Sequence, residues 1–164
     1  MTAEEIYESV TNGGTSDFAQ VASILSRHGP WCLIGGLAVN CYVEPVYTVD
    51  ADIVVVAEHL ARVRENLSSD SKGGSKLQIH FMQDDRYQNF IARAKPREVL
   101  GQIVPVADLK DIVQGKVWGR NDAERRLSKR KKDELDLIRI AEEYPQMRRL
   151  IPDEIVAQLG DAGK

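Results

Sequence analysis

The sequence has few of the residues that mark a secreted, disulfide-bonded or membrane-spanning protein. Its 164 residues include only two cysteines, Cys32 and Cys41, which are too few for a disulfide framework or a cysteine-rich metal cluster. The N-terminus lacks the basic-then-apolar pattern of a signal peptide, and no apolar run approaches the length of a membrane span. We therefore expect a cytoplasmic protein with reduced, packed cysteines and no membrane partner.

A strong excess of one charge is also missing. Charged residues make up 29% of the chain and hydrophobic residues 43%, which is ordinary for a globular protein. The formal net charge of -3 gives no general attraction to nucleic acid, so such an attraction requires a local patch. The length predicts one domain over residues 1–164, with a core at about 16–145 and a helical tail at 146–164.

Segments typical of helices and of strands alternate along the chain. The spacing of apolar residues predicts helices at 16–29, 37–43, 58–67, 107–118 and 129–144. Runs rich in β-branched residues or with alternating polarity predict strands at 31–34, 47–57, 76–82 and 104–106. This mixture predicts an α+β (α/β-like) fold in which helices flank a small central mixed sheet.

Boundary residues refine this prediction. We expect Ser16 or Asp17 to cap the first of these helices and Gly29 to end it. Residues 68–75 are rich in serine and glycine and are predicted to form a loop. The tail is predicted to hold one more helix and then to fray.

Two aspartates, Asp50 and Asp52, stand at the start of a strand that is otherwise apolar. Side chains two apart on a strand share a face, so both carboxylates point the same way while Ala51 and Ile53 face the core. Neighbouring carboxylates repel unless a cation lies between them, and oxygen ligands at this separation suit Mg²⁺. The plainer interpretation is a pair of exposed acids, one of which caps a turn.

A glycine pair, Gly35 and Gly36, follows a predicted strand and precedes a predicted helix. Bare backbone N–H groups at such a turn can bind a phosphate, although a tight turn alone would also require glycine. Because Asp50 and Asp52 begin the next strand, the two features predict a site for a nucleoside triphosphate and a metal.

A lysine and two acids fall on the apolar faces of the last two long helices. Lys116 lies four residues after Ile112, within the apolar stripe of its helix. Asp133 and Asp136 lie four residues before Leu137 and Ile140, so both acids point inward in the next helix. The spacing is compatible with a buried ion pair that joins the helices, with a role for Lys116 as a phosphate ligand, or with both.

A basic run occupies residues 125–132, where six of eight residues are lysine or arginine. Such a run is usually a solvated loop and helix start. Because it immediately precedes Asp133, it could also bind a triphosphate or an RNA backbone, with Lys129 near its centre. Contacts with phosphates alone would give no sequence specificity.

The motifs resemble the signature of the DNA polymerase β-like nucleotidyltransferase superfamily, in which Gly-Gly, a helix and Asp-x-Asp on a strand follow one another. The wider pattern, LIGGLAVNCYVEPVYTVDADIVV with the later DLKDIVQGK and SKRKKDELDLIRI, is similar to the minimal nucleotidyltransferases of the AbiEii toxin type. The match covers roughly residues 30–145 and implies the nucleotidyltransferase fold.

The resemblance also implies roles for individual residues. Gly35 and Gly36 would hold the triphosphate, and Asp50 and Asp52 would hold the catalytic metals, Mg²⁺ or Mn²⁺. Lys116, Asp133 and Asp136 match the later lysine and acids of the family, so Lys116 and Asp133 are candidate catalytic residues, and Lys116 with Lys129 could bind the nucleotide. The implied enzyme moves a nucleoside monophosphate from an NTP to a hydroxyl of RNA, tRNA or protein. It would be the toxin of a pair with a cognate antitoxin protein.

Two departures from the family pattern favour a different function. The predicted strand at 76–82 carries Gln78 and His80 where many transferases add a third carboxylate, although Asp84 and Asp85 lie just beyond it. The segment before Asp50 also lacks the arginine of many relatives. An alternative is therefore a catalytically inactive nucleotide- or RNA-binding module of the same fold. A third option is a partner-binding protein that uses the tail after Pro145.

Overall fold

Five strands form a mixed sheet in the computed structural model, which describes residues 2–70 and 74–160. The strands are β1 (Trp31–Ile34), β2 (Asp50–Val55), β3 (Gln78–Phe81), β4 (Lys95–Val99) and β5 (Gln102–Val106). Their order across the sheet is β3-β2-β1-β5-β4. The β1–β2 and β4–β5 pairs are antiparallel, whereas β2–β3 and β1–β5 are parallel.

Helices accompany the sheet along the described chain. They are α1 (Ala3–Thr11), α2 (Gly14–Ser26), α3 (Gly35–Val39), α4 (Leu60–Asp70), α5 (Phe90–Arg93), α6 (Leu109–Asn121), α7 (Leu127–Glu143) and α8 (Asp153–Val156). Short 3-10 helices lie at Ala57–His59, Asp85–Tyr87, Pro145–Leu150 and Ala157–Leu159. The predicted α+β class with a small mixed sheet and flanking helices is confirmed. Within the described residues, no helix is long and apolar enough to cross a membrane.

The central strands show why the sequence forms this sheet. All four residues of β1 are buried, as expected for an apolar strand with a neighbour on each side. In β2, Ala51 and Ile53 are buried on one face, whereas Asp50 and Asp52 lie on the other. The predicted facing of the two aspartates is confirmed, and β2 has one side in the core and one at a cleft.

The start of α2 differs from the prediction. The helix begins at Gly14, so Ser16 and Asp17 lie inside its first turn and neither is the N-cap. The reason is helix α1, whose last residue, Thr11, accepts a hydrogen bond from the Gly14 N–H through its hydroxyl at 2.8 Å. Gly29 has φ +99° and lies two residues beyond the C-cap, Arg27.

Three other elements, besides the short 3-10 helices, were missed, and one loop was misplaced. Helix α1, the four-residue helix α5 and strand β4 were not predicted, and β4 joins β5 through a tight turn in which Leu100 and Gly101 both have positive φ. The predicted loop at 68–75 is wrong for its first three residues, because α4 continues to Asp70. Residues 71–73 lie outside the described part of the chain.

The C-terminal tail packs against the core. Met147, Ile151 and Ile155 are buried, and α8 is the additional helix that the sequence predicts. The predicted fraying concerns residues 161–164, which lie outside the described range. The tail thereby packs against α7, the helix that forms one wall of the cleft.

Candidate functional site

A cleft of about 550 Å³ opens between the polar face of β2 and helix α7. Most of the residues predicted for the site line it: Gly36, Asp50, Asp52, Lys116, Lys129, Asp133 and Asp136. Gly35 lies next to the Asp52 carboxylate. Together with Asp52 and Lys116, it lines a smaller adjoining cavity of about 70 Å³. The fold therefore brings together residues that are up to about a hundred positions apart in the sequence.

Asp50 is held by two groups from other elements. Lys129 Nζ lies 2.8 Å from Asp50 Oδ2, and His80 Nε2 lies 3.4 Å from Asp50 Oδ1. Burial alone would raise the pKa of Asp50, but the hydrogen bonds and charge of Lys129 and His80 outweigh it and hold the pKa below its usual value. The Lys129 ammonium thus lies where a cation bound to Asp50 would lie.

Asp52 is in a different electrostatic position, although it is only two residues away. Among the described residues, no lysine, arginine or histidine nitrogen comes within 4.0 Å of its carboxylate. Burial raises the pKa of Asp52. The charges of Lys116 and His80 lower that pKa from a distance, but burial outweighs them and the pKa lies above its usual value. A partly buried carboxylate that faces a cleft without a close counter-ion is suited to bind a cation.

Gly35 makes room for the Asp52 carboxylate. It has φ +75°, and a Cβ atom added to it would lie 2.0 Å from Asp52 Oδ2. Glycine is therefore required at this position both for the backbone conformation and for the space. Gly35 and Asp52 therefore form one structural unit, in which the first residue of α3 shapes the position of an acid on β2.

Lys116 joins helices α6 and α7 through two acids. Its Nζ lies 3.1 Å from Asp133 Oδ1 and 2.8 Å from Asp136 Oδ2, and its side chain is only 11% exposed. Burial alone would lower the pKa of Lys116, but the two carboxylates outweigh it and raise the pKa. The predicted ion pair is confirmed, and because an ammonium has three donors, a further contact with a ligand remains open.

Each of these two acids also contacts an arginine. Arg125 Nε lies 3.1 Å from Asp133 Oδ2, and Arg139 Nη1 lies 2.8 Å from Asp136 Oδ1. Arg139 also donates to the backbone oxygen of Glu44, so it ties α7 to the loop before β2. Sequence reasoning missed Arg139, although its i+3 spacing from Asp136 was a usable signal.

The basic run forms the cationic wall of the cleft, which we define as Arg125, Arg126, Lys129 and Lys132. Arg125 and Arg126 precede α7, and the two lysines lie on its first two turns. Within the described residues, Arg126 and Lys132 have no carboxylate within 4.0 Å. Together with Lys116 and Arg139, the wall gives the cleft six cationic side chains against four carboxylates, in a chain of net charge -3.

Strand β3 contributes no acid to the described cleft. Gln78 is paired with Asp50 and His80 with Asp52 in the parallel register, and both side chains line the cleft. Asp84 lies beyond the strand, where its carboxylate caps the following 3-10 turn and pairs with Arg86. Neither Asp84 nor Asp85 is among the residues that line the cleft, so the third-carboxylate position is occupied by Gln78 and His80.

The donor set fits a hard divalent cation. The described residues contain no group of three or more histidine, cysteine, aspartate or glutamate side chains placed to hold a metal. Two carboxylates on one strand face, one of them without a counter-ion, match the one or two protein ligands that Mg²⁺ typically takes beside water and phosphate oxygens. The cleft therefore offers carboxylate ligands suited to a hard divalent cation and, along the cationic wall, side chains suited to phosphates.

The mixed sheet, the glycine pair at the start of α3 and the acids at the start of β2 agree with the nucleotidyltransferase fold that the sequence motifs imply. A solved structure of an antigenic nucleotidyltransferase-like protein from Paracoccidioides brasiliensis is similar, with a TM-score of 0.52 and 16% sequence identity. The similarity covers 89% of this chain and 86% of the other. No protein-family model and no curated protein matches the sequence. At 16% sequence identity, this similarity shows the fold alone.

Proposed function

We propose that this protein is a metal-dependent nucleotidyltransferase that moves a nucleoside monophosphate from an NTP to an acceptor hydroxyl. The observation that carries the proposal is that acidic and basic side chains face each other across one cleft. Asp50 and Asp52 share one face of β2, and the cationic wall faces them from α7 and the two residues before it. A metal-bound triphosphate has the charge and chemistry to fill the space between them.

Asp50 and Asp52 are the proposed metal ligands. When bound, Mg²⁺ or Mn²⁺ supplies Lewis-acid activation of the acceptor hydroxyl and stabilisation of the departing pyrophosphate. Asp52 can bind a metal ion without breaking an ion pair, because no basic side chain in the described part of the chain lies within 4.0 Å of its carboxylate. Asp50 must first release Lys129, whose ammonium lies 2.8 Å away. Gly35 leaves the space that the Asp52 carboxylate occupies.

The released Lys129 and the rest of the cationic wall are the proposed triphosphate ligands. In the described part of the chain no carboxylate lies within 4.0 Å of Arg126 or Lys132, so both can bind phosphate oxygens without breaking an ion pair. The backbone of Gly35 and Gly36 and the remaining donor of Lys116 complete the phosphate site. Asp133 acts through Lys116, because it helps to fix the ammonium at the floor of the cleft. Such fixed charges stabilise the charge that develops on the phosphates during transfer.

The transfer itself exchanges one phosphorus–oxygen bond for another. The acceptor oxygen bonds to the α-phosphorus, the bond to pyrophosphate breaks, and the acceptor proton leaves to a base. On β3, His80 is the titratable side chain that lies beside the acids of β2, with its Nε2 3.4 Å from Asp50 Oδ1, and it is the candidate base. A positioned base typically raises the rate of transfer by about 10²–10⁴-fold. The likeness to AbiEii-type proteins extends the proposal to a hydroxyl of RNA, tRNA or protein as acceptor. On that basis the protein is a toxin restrained by a cognate antitoxin protein.

The second candidate is an inactive nucleotide- or RNA-binding module of the same fold. A specific observation favours it, namely that Gln78 and His80 stand in the parallel register where a third carboxylate would complete the acid set. Two acids suffice to hold a metal-bound triphosphate, so nucleotide binding is expected from both candidates. Transfer is expected only from the first.

Binding and transfer should be measured separately. Mg²⁺-dependent NTP binding is measured by calorimetry, and transfer by incubating labelled NTP with total RNA, tRNA and protein in Mg²⁺ or Mn²⁺. Asp50→Asn and Asp52→Asn should each abolish both signals while the protein stays folded. Asp153→Asn, an exposed acid outside the cleft, is the matched control and should behave as the parent does.

Each outcome assigns the protein to one candidate or rejects the site. Labelled product that disappears in both aspartate variants supports the enzyme. Clear binding of the Mg²⁺–NTP complex without label on any acceptor supports the binding module. Variants Asp50→Asn and Asp52→Asn that bind and transfer at the parent level would show that the site is wrong. Product that persists when His80, Asp84 and Asp85 are all alanine would show that none of them is the base.

A further inference from the structure

Tyr47 is an exposed aromatic residue at the rim of an otherwise charged and polar cleft. Among the described phenylalanine, tyrosine and tryptophan residues it is the most exposed, with 54% of its surface accessible to solvent. Its neighbour Val46 is 47% exposed, and both residues line the cleft. Contact between water and two adjacent apolar side chains is unfavourable, and a ligand that covers them would remove that contact.

The backbone on each side of Tyr47 is anchored. The Asn40 side chain donates to the Val46 carbonyl at 2.8 Å and accepts from the Val46 N–H at 3.0 Å. The buried hydroxyl of Tyr7 donates to the Thr48 carbonyl at 2.7 Å. Because the loop is fixed before any ligand arrives, placing a ligand against the ring requires little additional ordering.

The ring lies where the charged cleft meets an apolar cavity. A second cavity, of about 390 Å³, shares Asn40, Val46, Tyr47 and Thr48 with the cleft. The Tyr7 ring lies beside Tyr47, with 6.1 Å between ring centroids and an angle of 49° between planes. Asp50 follows only three residues later. A flat apolar surface therefore adjoins the acids that the proposed function assigns to the metal.

These neighbours select a ligand that is charged at one end and flat and aromatic at the other. We propose that Tyr47, with Val46 beside it, forms the surface on which the base of the bound NTP stacks. This inference rests on the proposed function, since the triphosphate must lie along the cationic wall for the base to reach the rim. Stacking on a tyrosine requires only a π-face, so all four bases can use it.

Tyr47→Ala tests the inference when NTP binding is compared with binding of inorganic tripolyphosphate. With Mg²⁺ present, calorimetry should show that Tyr47→Ala weakens NTP binding by about 5- to 150-fold, the usual effect of removing a base–aromatic stack. The affinity for tripolyphosphate, which has no base, should stay at the parent value. Tyr47→Phe should retain NTP affinity because it keeps the ring. Ile103→Ala, which removes a 71% exposed apolar side chain outside the cleft, is the matched control.

The outcomes separate this inference from the proposed function. If the parent binds neither Mg²⁺–NTP nor tripolyphosphate, both fail. If the parent binds both and Tyr47→Ala leaves NTP affinity unchanged, only the inference fails. Equal weakening of NTP and tripolyphosphate would show that the substitution disturbs the loop, and this outcome also rejects base stacking. A loss confined to a single-stranded RNA oligonucleotide would place an acceptor base on the ring and overturn the assignment to the NTP.

Discussion

Replacing Lys116 by methionine should destabilise the protein, because it removes the charge that two buried acids share. Methionine has a similar length and can fill the space of the lysine stem, so the change is mainly one of charge. Breaking a buried ion pair from one side typically costs about 3–5 kcal/mol of unfolding free energy. Here Asp133 keeps Arg125 at 3.1 Å and Asp136 keeps Arg139 at 2.8 Å, so we expect the lower end, about 3 kcal/mol.

Thermal unfolding measures this cost directly. For a chain of 164 residues, 1 kcal/mol corresponds to about 2–4 °C, so the melting temperature of Lys116→Met should fall by about 6–12 °C. Lys131→Met is the matched control, because Lys131 is 67% exposed and contacts Glu134 at 3.4 Å. An exposed pair of this kind contributes about 0–1 kcal/mol, so the control should shift the melting temperature little.

The pH dependence gives a second check on the same pair. The pKa of Lys116 is raised in the folded protein, so its stabilising effect is complete below the unfolded value of about 10.4. The difference between parent and Lys116→Met should therefore be constant from about pH 6 to 9 and shrink only as the pH rises through the folded-state pKa. A variant that melts with the parent would refute the structural role. If that variant also lost affinity for Mg²⁺–NTP, Lys116 would be a phosphate ligand alone.

Other predictions concern the two aspartates of β2, Lys129 and Gly35. In metal-free buffer at pH 7, Asp52→Asn should raise the melting temperature, because burial raises the pKa of Asp52. Its ionisation therefore costs stability above the unfolded pKa of about 3.9, and the gain should vanish below that pH. Asp50→Asn should lower the melting temperature, since the lowered pKa of Asp50 means that its ionised form stabilises the fold. Lys129→Met should strengthen binding of Mg²⁺ alone, measured by thermal shift, and weaken binding of Mg²⁺–NTP. Gly35→Ala should cost more than about 1 kcal/mol in chemical denaturation, whereas Gly74→Ala, with open space around it, should be neutral.

Local periodicity was enough to predict the parts of the site that lie within one element. The alternation around Asp50 and Asp52 predicts that they share a face, and the helical spacing around Lys116, Asp133 and Asp136 predicts that they face one another. Both arguments use only residues within a few positions, where chain geometry fixes the direction of a side chain. The same reasoning predicts the mixed fold, because helix and strand patterns alternate clearly over most of the chain.

Contacts between distant segments could not be predicted in this way. Lys129 pairs with Asp50 across 79 positions, and Arg139 bonds to Glu44 across 95. No periodicity links such residues, because their contact depends on where the packing of α7 places it relative to β2 and the preceding loop. The position of Tyr47 at the junction of two cavities depends on the same tertiary packing.

Two of the missed elements, β4 and α1, escaped prediction for different reasons. Strand β4 is exposed at every residue except Val99 and includes a proline, so it shows no alternation. It is defined by pairing with β5 through the tight turn at Leu100 and Gly101. Helix α1, in contrast, had a readable signal. Thr2 and Glu5 form a capping box in which each side chain bonds to the backbone of the other residue.

The uneven charge of the cleft has a consequence for the speed of ligand encounter. A protein of net charge -3 weakly repels a polyanion at a distance, but six cations against four acids make this one opening attractive at short range. Low-dielectric walls concentrate that field, so an anion that diffuses along the surface is guided toward the opening. The association rate constant of an anionic ligand should therefore fall as ionic strength rises, since the screening length is about 10 Å at 0.1 M salt. The dissociation rate, which depends on contacts already formed, should change much less.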